Sequence, residues 1–264
     1  MKIKNLSAKK IAAIFLIVAG LFIIVMAQIN ALQDEKTSKN IESSFAIENE
    51  TEGRTESSDN DANNIQPPSY RGTNNTALTL DWDKLLSINS DVIAWIKIPG
   101  TGISQPVLKG QSNETYLRHN IYGKYTRNGS VFVAQNNENP FEDLNTIIYG
   151  HNLGGGKMFS NLKKYKNLNF WKNNKYVYIF FPDGTVKTYE IISFHTEDDA
   201  DEHIYGTYYT KFSEFMPYIE EDNIYSGKTS YNFNNVDRVI TLSTCTNRSS
   251  NERYVIHAIS YKGN

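Results

Sequence analysis

Cysteine is almost absent from this sequence: its 264 residues contain a single one, Cys245. One thiol excludes an intramolecular disulfide framework, and it excludes the structural zinc sites that need two or more cysteines. A dominant charge is also lacking, because the formal net charge is −2. We therefore predict no nucleic-acid partner, since nucleic-acid-binding domains carry a strongly basic face.

Long hydrophobic runs are scarce too, and the one that exists covers residues 11–29 (IAAIFLIVAGLFIIVMAQI). As a helix, this run would span about 30 Å, the thickness of the hydrocarbon core of a membrane. Four lysines precede it within residues 1–10, and such charges stay cytoplasmic. We predict a cytoplasmic tail (residues 1–10) and a single-pass membrane anchor that leaves the remaining chain extracellular. The alternative, a signal peptide cleaved near Ala31, would export the same part.

Apolar side chains are sparse between this run and residue 78. Residues 33–77 contain nine acidic and four basic residues, and their only aromatics are Phe45 and Tyr70. Such a composition buries too little apolar surface to offset the entropy lost on ordering. We predict that residues 30–77 form a disordered extracellular spacer. Residues 78–264, with a net charge of −1, form the predicted folded domain.

The predicted domain consists mainly of short β-type runs bounded by Gly, Pro, Asn and Asp. These runs cover residues 92–100, 103–110, 129–136, 145–152, 175–184, 185–197, 237–245 and 253–261. Helical periodicity is confined to residues 80–89, 158–171 and 209–223, and Pro217 interrupts the last of them. The pattern predicts a mainly β fold, a single closed or nearly closed barrel of about eight strands with a few peripheral helices.

Cys245 ends one of these predicted strands, DRVITLSTC. Alternation along a strand puts Cys245 on the same face as Ser243, whereas Leu242 points to the other face. A cysteine on the polar face is not an apolar filler of the core, so we predict a reactive thiol. Its thiolate is a nucleophile when a cation or a protonated histidine stabilises it.

His151 is the best-placed base among the five histidines. It follows the predicted strand end IIYG and precedes the Gly-rich turn NLGGGK, and catalytic groups often lie where a rigid strand meets a loop. The turn lacks the G-x-x-x-x-G-K-[ST] spacing of a phosphate-binding loop. His257 alternates with apolar residues and is predicted to be structural. No distinguishing context marks the remaining three, His119, His195 and His203.

Arg253 supplies a fixed positive charge at the start of the predicted strand that follows Cys245. Antiparallel pairing of these two strands would bring Arg253 beside Cys245, where it would donate hydrogen bonds to a developing oxyanion. Arg248, in the intervening loop, is the competing candidate. The acidic run at residues 197–202 lacks the spacing of a calcium-binding loop. We predict no bound metal and no cofactor.

The segment TLSTC with a following arginine, the upstream GHN and the predicted membrane anchor resemble the sortases, the cell-surface transpeptidases of Gram-positive bacteria. The resemblance covers about residues 80–264 and implies an eight-stranded sortase-type β-barrel. By motif position it implies Cys245 as the nucleophile, His151 as the catalytic histidine and Arg253 as the catalytic arginine.

Class B sortases are the most similar subclass, because the region between His151 and Cys245 is long and contains a predicted helix. The segment QSNETYLRHN also resembles the class B stretch after the second strand. The implied substrate-binding residues are Asn113, Leu117, Ser243, Thr244 and Tyr208, with Tyr205 and Tyr209 as alternatives to Tyr208.

The resemblance implies a membrane-anchored enzyme that cleaves a C-terminal sorting motif, NPxTN-like or related, at its Thr. Its partners would be secreted proteins bearing that motif and an amine of a peptidoglycan precursor or cross-bridge, which takes the acyl group from a thioester on Cys245. The alternatives are a pilus-assembling sortase, a papain-like Cys/His hydrolase and a non-enzymatic surface adhesin. A papain-like chain normally places its cysteine before its histidine, the reverse of the order here.

Overall fold

The computed structural model describes residues 15–26, 28–29, 41–47, 78–153, 156, 158–228, 231, 233–246 and 251–262. The chain divides into two compact units, Met1–Ile41 and Glu42–Asn264. The predicted cytoplasmic tail, most of the predicted spacer and Arg248 lie outside the described residues.

The N-terminal unit is helical at residues 15–26 and 28–29, here called α1. Large apolar side chains of α1 are exposed, for example Phe15 at 75% and Phe22 at 65%. Among the described residues, no helix combines the length and the apolar character needed to cross a membrane. Residues 11–14, where the predicted anchor begins, are outside the described part of the chain.

Near the start of the second unit lies a short helix, α2 (Ile41–Phe45), followed by β1 (Ala46–Ile47), which pairs antiparallel with β2 (Thr79–Leu80). Phe45 is 1% exposed, and its ring packs edge-on against Trp95 with the centroids 6.4 Å apart. The predicted spacer therefore contains an ordered piece, because one aromatic side chain finds a complementary ring on the folded unit.

Eight further strands close into a barrel, which confirms the predicted architecture. They are β3 (Val92–Ile98), β4 (Ile103–Leu108), β5 (Val131–Val133), β6 (Asn145–Tyr149), β7 (Tyr176–Phe180), β8 (Val186–Asp198), β9 (Val236–Cys245) and β10 (Glu252–Tyr261). Their order around the barrel is β10-β8-β7-β3-β4-β5-β6-β9, and β9 pairs with β10. Neighbours are antiparallel except β4 with β5 and β6 with β9, which are parallel.

Apolar side chains from alternate strand positions fill the barrel interior. β3 contributes Ala94, Ile96 and Ile98 to this core, and β9 contributes Ile240 and Leu242; each is at most 1% exposed. The intervening residues of β9 point outward, where further elements of the same unit cover them. The outer face of β9 is thus an interface inside the domain and not a bare solvent surface.

The described helices after α2 are α3 (Trp82–Ile88), α4 (Asn113–Leu117), α5 (Leu168–Asn173) and α6 (Phe212–Glu220), with 3₁₀ helices at Ser160–Lys166 and Phe233–Asn235. The predicted helix over residues 158–171 is divided, because the Asn167 side chain accepts hydrogen bonds from two amides of the next turn and caps α5. Pro217 lies inside α6, whose buried Phe212, Phe215 and Ile219 hold it against the barrel.

Docking of the N-terminal piece is testable with Phe45→Ala. We expect the free energy of unfolding to fall by about 3 kcal/mol, because the change removes a buried ring and leaves a cavity beside Trp95. Urea unfolding followed by tryptophan fluorescence would measure it. Tyr125→Ala is the control, since Tyr125 is 70% exposed. A loss below about 1 kcal/mol for Phe45→Ala would show that this piece does not stabilise the barrel.

Candidate active site

Segments from three neighbouring strands meet at one rim of the barrel. β6 and β9 run parallel, and the amide of Gly150, just past β6, donates a 3.2 Å hydrogen bond to the carbonyl of Ser243. β10 runs antiparallel to β9, so it begins where β9 ends, and Arg253 lies directly opposite Cys245. The structure therefore brings the segments that carry His151, Cys245 and Arg253 to the same rim.

Cys245 is a free, half-buried cysteine at the end of β9. Leu242 belongs to the barrel core, whereas Ser243 and Cys245 lie on the outer face, as strand alternation predicts. Directly opposed residues on neighbouring strands share a face, so the side chain of Arg253 lies on that side as well. The thiol and the guanidinium group are thus neighbours on the outside of the barrel.

His151 is half-buried just past β6, and its Nε2 lies 2.8 Å from the carbonyl oxygen of Leu117. A carbonyl oxygen only accepts hydrogen bonds, so Nε2 carries the hydrogen, and in the neutral ring Nδ1 is left to exchange a proton. The adjacent Asn152 donates from its side-chain amide to the carbonyl of Cys245 at 2.7 Å. This hydrogen bond ties the histidine segment directly to the cysteine strand.

The guanidinium group of Arg253 forms an ion pair with Asp199, a residue just past the end of β8. Arg253 also donates from Nη1 to the carbonyl of Glu252 at 3.2 Å, and its side chain is only 17% exposed. The Asp199 amide in turn donates to the carbonyl of Asn251 at 2.9 Å. Asp199 is therefore fixed to the start of β10 and orients the guanidinium group.

A thiol, an imidazole and a guanidinium group on one rim are the parts needed for covalent acyl transfer. The thiol supplies a nucleophile, the imidazole moves protons, and the guanidinium group stabilises an oxyanion. Among the described residues, no group of three or more His, Cys, Asp and Glu side chains is placed to hold a metal ion.

Two tyrosines form a wall beside the cysteine strand. The hydroxyl groups of Tyr205 and Ser243 share a buried hydrogen bond of 2.9 Å, and the Tyr205 ring stacks on Tyr149 with the centroids 6.1 Å apart. Burial raises the pKa of Tyr149 to about 12, although the nearby positive charge of Arg253 opposes the shift. Burial also raises the pKa of Tyr205. Both hydroxyl groups therefore stay neutral and act as hydrogen-bonding groups.

Leu117 and Asn113, predicted to bind substrate, lie on the same short helix, α4. The carbonyl of Leu117 contacts the His151 ring, as described above. The Asn113 side chain instead accepts a 2.8 Å hydrogen bond from the amide of Gln135. Thr244 is buried on the inner side of β9, and its hydroxyl group makes no hydrogen bond within the described residues. Of these three, Leu117 is the one that contacts His151 directly.

Tyr208, the remaining predicted substrate-binding residue, is 63% exposed, and its hydroxyl group donates to that of Tyr209 at 3.2 Å. It lines a cavity of about 680 Å³ together with Val236 and other residues at the opposite end of β9 from Cys245. The structure does not bring Tyr208 to Ser243; the contact with that residue belongs to Tyr205, the sequence-based alternative.

His257, predicted to be structural, is fully buried in β10, and its Nδ1 lies 2.7 Å from the Ser193 hydroxyl group. His195 lies beside it with 3.4 Å between the ring nitrogens. Burial lowers the pKa of His195 to about 4, and burial together with His195 lowers that of His257 well below its usual value. Both rings are therefore neutral parts of the domain interior.

Three residues of the rim were not predicted from the sequence. Tyr149 precedes His151 by two positions, a spacing that places both on one face of an extended chain. Asn152 belongs to the GHN segment, yet nothing in the sequence shows that its amide reaches the cysteine strand. Asp199 lies in the acidic run at residues 197–202, and only the pairing of β8 with β10 reveals its partner.

Comparison with known proteins agrees with this geometry. Residues 96–260 match the family model described as the sortase domain. The curated sortase B of Listeria monocytogenes is 32% identical over 173 residues, 64% of this chain and 68% of that protein. The solved Clostridium perfringens sortase B is similar with a TM-score of 0.62 at 33% identity, covering 69% of this chain and 100% of that one. A Staphylococcus aureus sortase B–substrate complex is similar with a TM-score of 0.60 at 27% identity, and the match covers 69% of this chain and 85% of that one.

The chain therefore belongs to the sortase family. The relatives that it matches are class B sortases, and this chain is a class B enzyme, a cysteine transpeptidase.

The finding that Tyr205, and not Tyr208, contacts Ser243 is testable with a matched pair of variants. Tyr205→Phe leaves the buried Ser243 hydroxyl group without this partner, so we expect the free energy of unfolding to fall by about 1–2 kcal/mol. Tyr208→Phe removes an exposed hydroxyl group, and we expect a change within about 0.5 kcal/mol. Urea unfolding of both variants would measure the difference. Equal effects, or a larger effect for Tyr208→Phe, would contradict the placement.

Proposed function

We propose that this enzyme cleaves a C-terminal sorting motif of secreted proteins, NPxTN-like or related, at its Thr and transfers the acyl group to a cell-wall peptide amine. The observation that carries the proposal is the direct pairing of Cys245 with Arg253 across β9 and β10, next to the segment that carries His151. Nucleophile, proton carrier and oxyanion donor then face one substrate groove.

The proposed reaction has two halves. The Cys245 thiolate attacks the Thr carbonyl, Arg253 stabilises the tetrahedral oxyanion, and His151 gives a proton to the leaving amine, which produces a thioester on Cys245. The acceptor amine then attacks this thioester while His151 takes up a proton, and the thiolate leaves. Asn113, Leu117 and Ser243 are proposed groove residues. Thr244 is not retained, because it is buried on the inner side of β9. Tyr205 takes the place of Tyr208 because its hydroxyl group shares a hydrogen bond with that of Ser243.

Two solved relatives support the choice of partners. One is a sortase B–substrate complex from Staphylococcus aureus, and another is a sortase B complexed with triglycine. A short glycine peptide presents a free amine, so it has the chemistry of the proposed acceptor. By analogy, the substrate here is a sorting signal and the acceptor is an amine of a peptidoglycan precursor or cross-bridge.

We place the enzyme at the cell membrane, with the N-terminus cytoplasmic and the catalytic unit extracellular. The support is the apolar run at residues 11–29, the lysines that precede it and the exposed apolar side chains of α1.

A pilus-assembling role is the second candidate. It is favoured by one relative, a Streptococcus pyogenes class B sortase involved in pilus biogenesis, with a TM-score of 0.61 at 28% identity. The two roles differ in the acceptor, since pilus assembly joins protein subunits through a lysine side chain. Competition between triglycine and a lysine-containing peptide for the thioester would separate them.

The proposed function is tested with fluorogenic peptides carrying NPQTN, NPKTG, LPXTG, PPKTG and a scrambled control. We expect one motif to be cleaved and a thioester on Cys245 to be visible by mass spectrometry. Cys245→Ala should lower the rate by at least about 10³-fold, because the covalent route is lost. The reaction with these motifs would be contradicted if no peptide gave an acyl adduct without triglycine and none gave a triglycine-linked product with it.

The role of Arg253 is tested by comparing three variants on the best peptide. We expect Arg253→Ala to lower kcat by about 10²–10³-fold with KM little changed, as for loss of an oxyanion donor. Asp199→Asn should lower kcat by about tenfold, because the guanidinium group loses its orienting partner. Glu202→Gln, an exposed change in the same acidic run, is the control. An unchanged kcat for Arg253→Ala would exclude the oxyanion role.

A further inference from the structure

An exposed loop rich in basic and aromatic residues lies directly beside the catalytic rim. This basic–aromatic loop, residues 118–128, exposes the three cations Arg118, Lys124 and Arg127. It also exposes two tyrosines, with Tyr122 at 43% and Tyr125 at 70%. The loop begins at the residue after Leu117, whose carbonyl contacts the His151 ring.

Hydrogen bonds hold the loop in a defined shape. The amide of Thr126 donates to the carbonyl of Arg118 at 2.8 Å, and His119 bridges to Tyr125 as in an antiparallel pair. The Asn120 side chain accepts from the amides of Tyr122 and Lys124 and forms the turn. These contacts fold residues 118–126 into a compact hairpin-like shape, so its cations are presented together and need little ordering on binding.

The loop itself contains no carboxylate, and the acidic residues that flank it in the sequence are Glu114 and Glu138. Within the part of the chain that the structure describes, no carboxylate forms an ion pair with Arg118, Lys124 or Arg127. Residues 78–264 together carry a net charge of −1, so the loop is a local positive patch on a nearly neutral domain.

We propose that the basic–aromatic loop docks the catalytic domain onto anionic phospholipid headgroups of the membrane in which the chain is anchored. The proposal rests on the membrane localisation proposed above. Lys and Arg near such a surface are attracted to the negative headgroups, and the amphipathic ring of Tyr sits at the headgroup level. Docking here would hold the catalytic rim close to the membrane, where a lipid-linked acceptor is within reach.

The exposed tyrosines favour a lipid surface over a soluble polyanion. Binding of a polyanion needs cations alone, and it would not explain two rings with apolar faces open to solvent. The short connection to the apolar run also favours a lipid surface. Residues 42–47 belong to the barrel unit, so only residues 30–41 connect this unit to the apolar run. Twelve residues reach at most about 45 Å when fully extended. A tether of this length raises the effective concentration of the loop at a membrane surface, so weak contacts suffice for docking.

The binding test uses residues 41–264 with sedimented lipid vesicles of phosphatidylcholine alone or with 30 mol% phosphatidylglycerol as the anionic probe. This fragment contains the whole barrel. The solved Clostridium perfringens chain matches 69% of this sequence over its full length, which shows that a domain of this extent folds alone. Thermal melting of each variant checks that it is folded. We expect binding only to the anionic vesicles and a loss of binding as salt is raised.

Two triple variants with the same charge change separate the loop from net charge. Each Lys or Arg near an anionic surface contributes about fivefold, so we expect Arg118→Gln/Lys124→Gln/Arg127→Gln to weaken binding by about 10²-fold. Lys163→Gln/Lys172→Gln/Lys228→Gln, at exposed sites elsewhere, should weaken it by less than about threefold. Tyr122→Ala/Tyr125→Ala should weaken vesicle binding but not binding to soluble polyglutamate.

Three results would overturn the proposal. The first is a fragment that does not bind anionic vesicles at low salt, and the second is an equal loss in the two triple variants. The third is a combined result: the tyrosine variant binds vesicles as tightly as the wild type, and the loop cation variant loses binding to polyglutamate. That result would assign the loop to a soluble polyanion. None of these readouts depends on catalysis, so failure of this proposal is distinguishable from failure of the proposed reaction.

Discussion

The rim that carries His151, Cys245 and Arg253 depends on the parallel pairing of β6 with β9. Parallel neighbours end at the same edge of a sheet, so the histidine that follows β6 and the cysteine that ends β9 lie at the same rim although they are distant in sequence. Asn152 spans 93 positions of the chain to donate to the Cys245 carbonyl. Inside the same pair of strands, the Asn145 side chain accepts a 2.6 Å hydrogen bond from the Thr241 hydroxyl group.

This pairing also determines how the polar face of β9 is satisfied. Thr241 and Ser243 are at most 1% exposed, and a buried hydroxyl group without a partner would be costly. Asn145 and Tyr205 provide those partners, and the Asn145 amide also donates to the Gly206 carbonyl at 3.0 Å. The segment around residues 204–206 is thereby held over β9, so the same network both stabilises the fold and forms the wall beside the strand that ends in Cys245.

Sequence reasoning succeeded where a local pattern carries the information. Alternation in TLSTC placed Cys245 with Ser243 away from the core, and eight β-type runs matched the strands of the barrel. Sequence reasoning failed where a side chain contacts a residue that is far away in the sequence. Phe45 was assigned to a spacer because its neighbours are polar, yet its ring is buried against Trp95. No periodicity distinguishes Tyr205 from Tyr208, because only the path of the segment decides which hydroxyl group reaches Ser243.

The sequence by itself determined the chemical groups, the strand alternation and the order of His151, Cys245 and Arg253, because these follow from residue identity and from contacts between near neighbours. The tertiary structure alone decided that Asp199 orients Arg253, that the His151 ring meets the Leu117 carbonyl and that Phe45 docks on the barrel. Each of these contacts joins segments far apart in the chain. Their formation depends on how the closed barrel brings strand ends and loops together, which no local pattern of residues encodes.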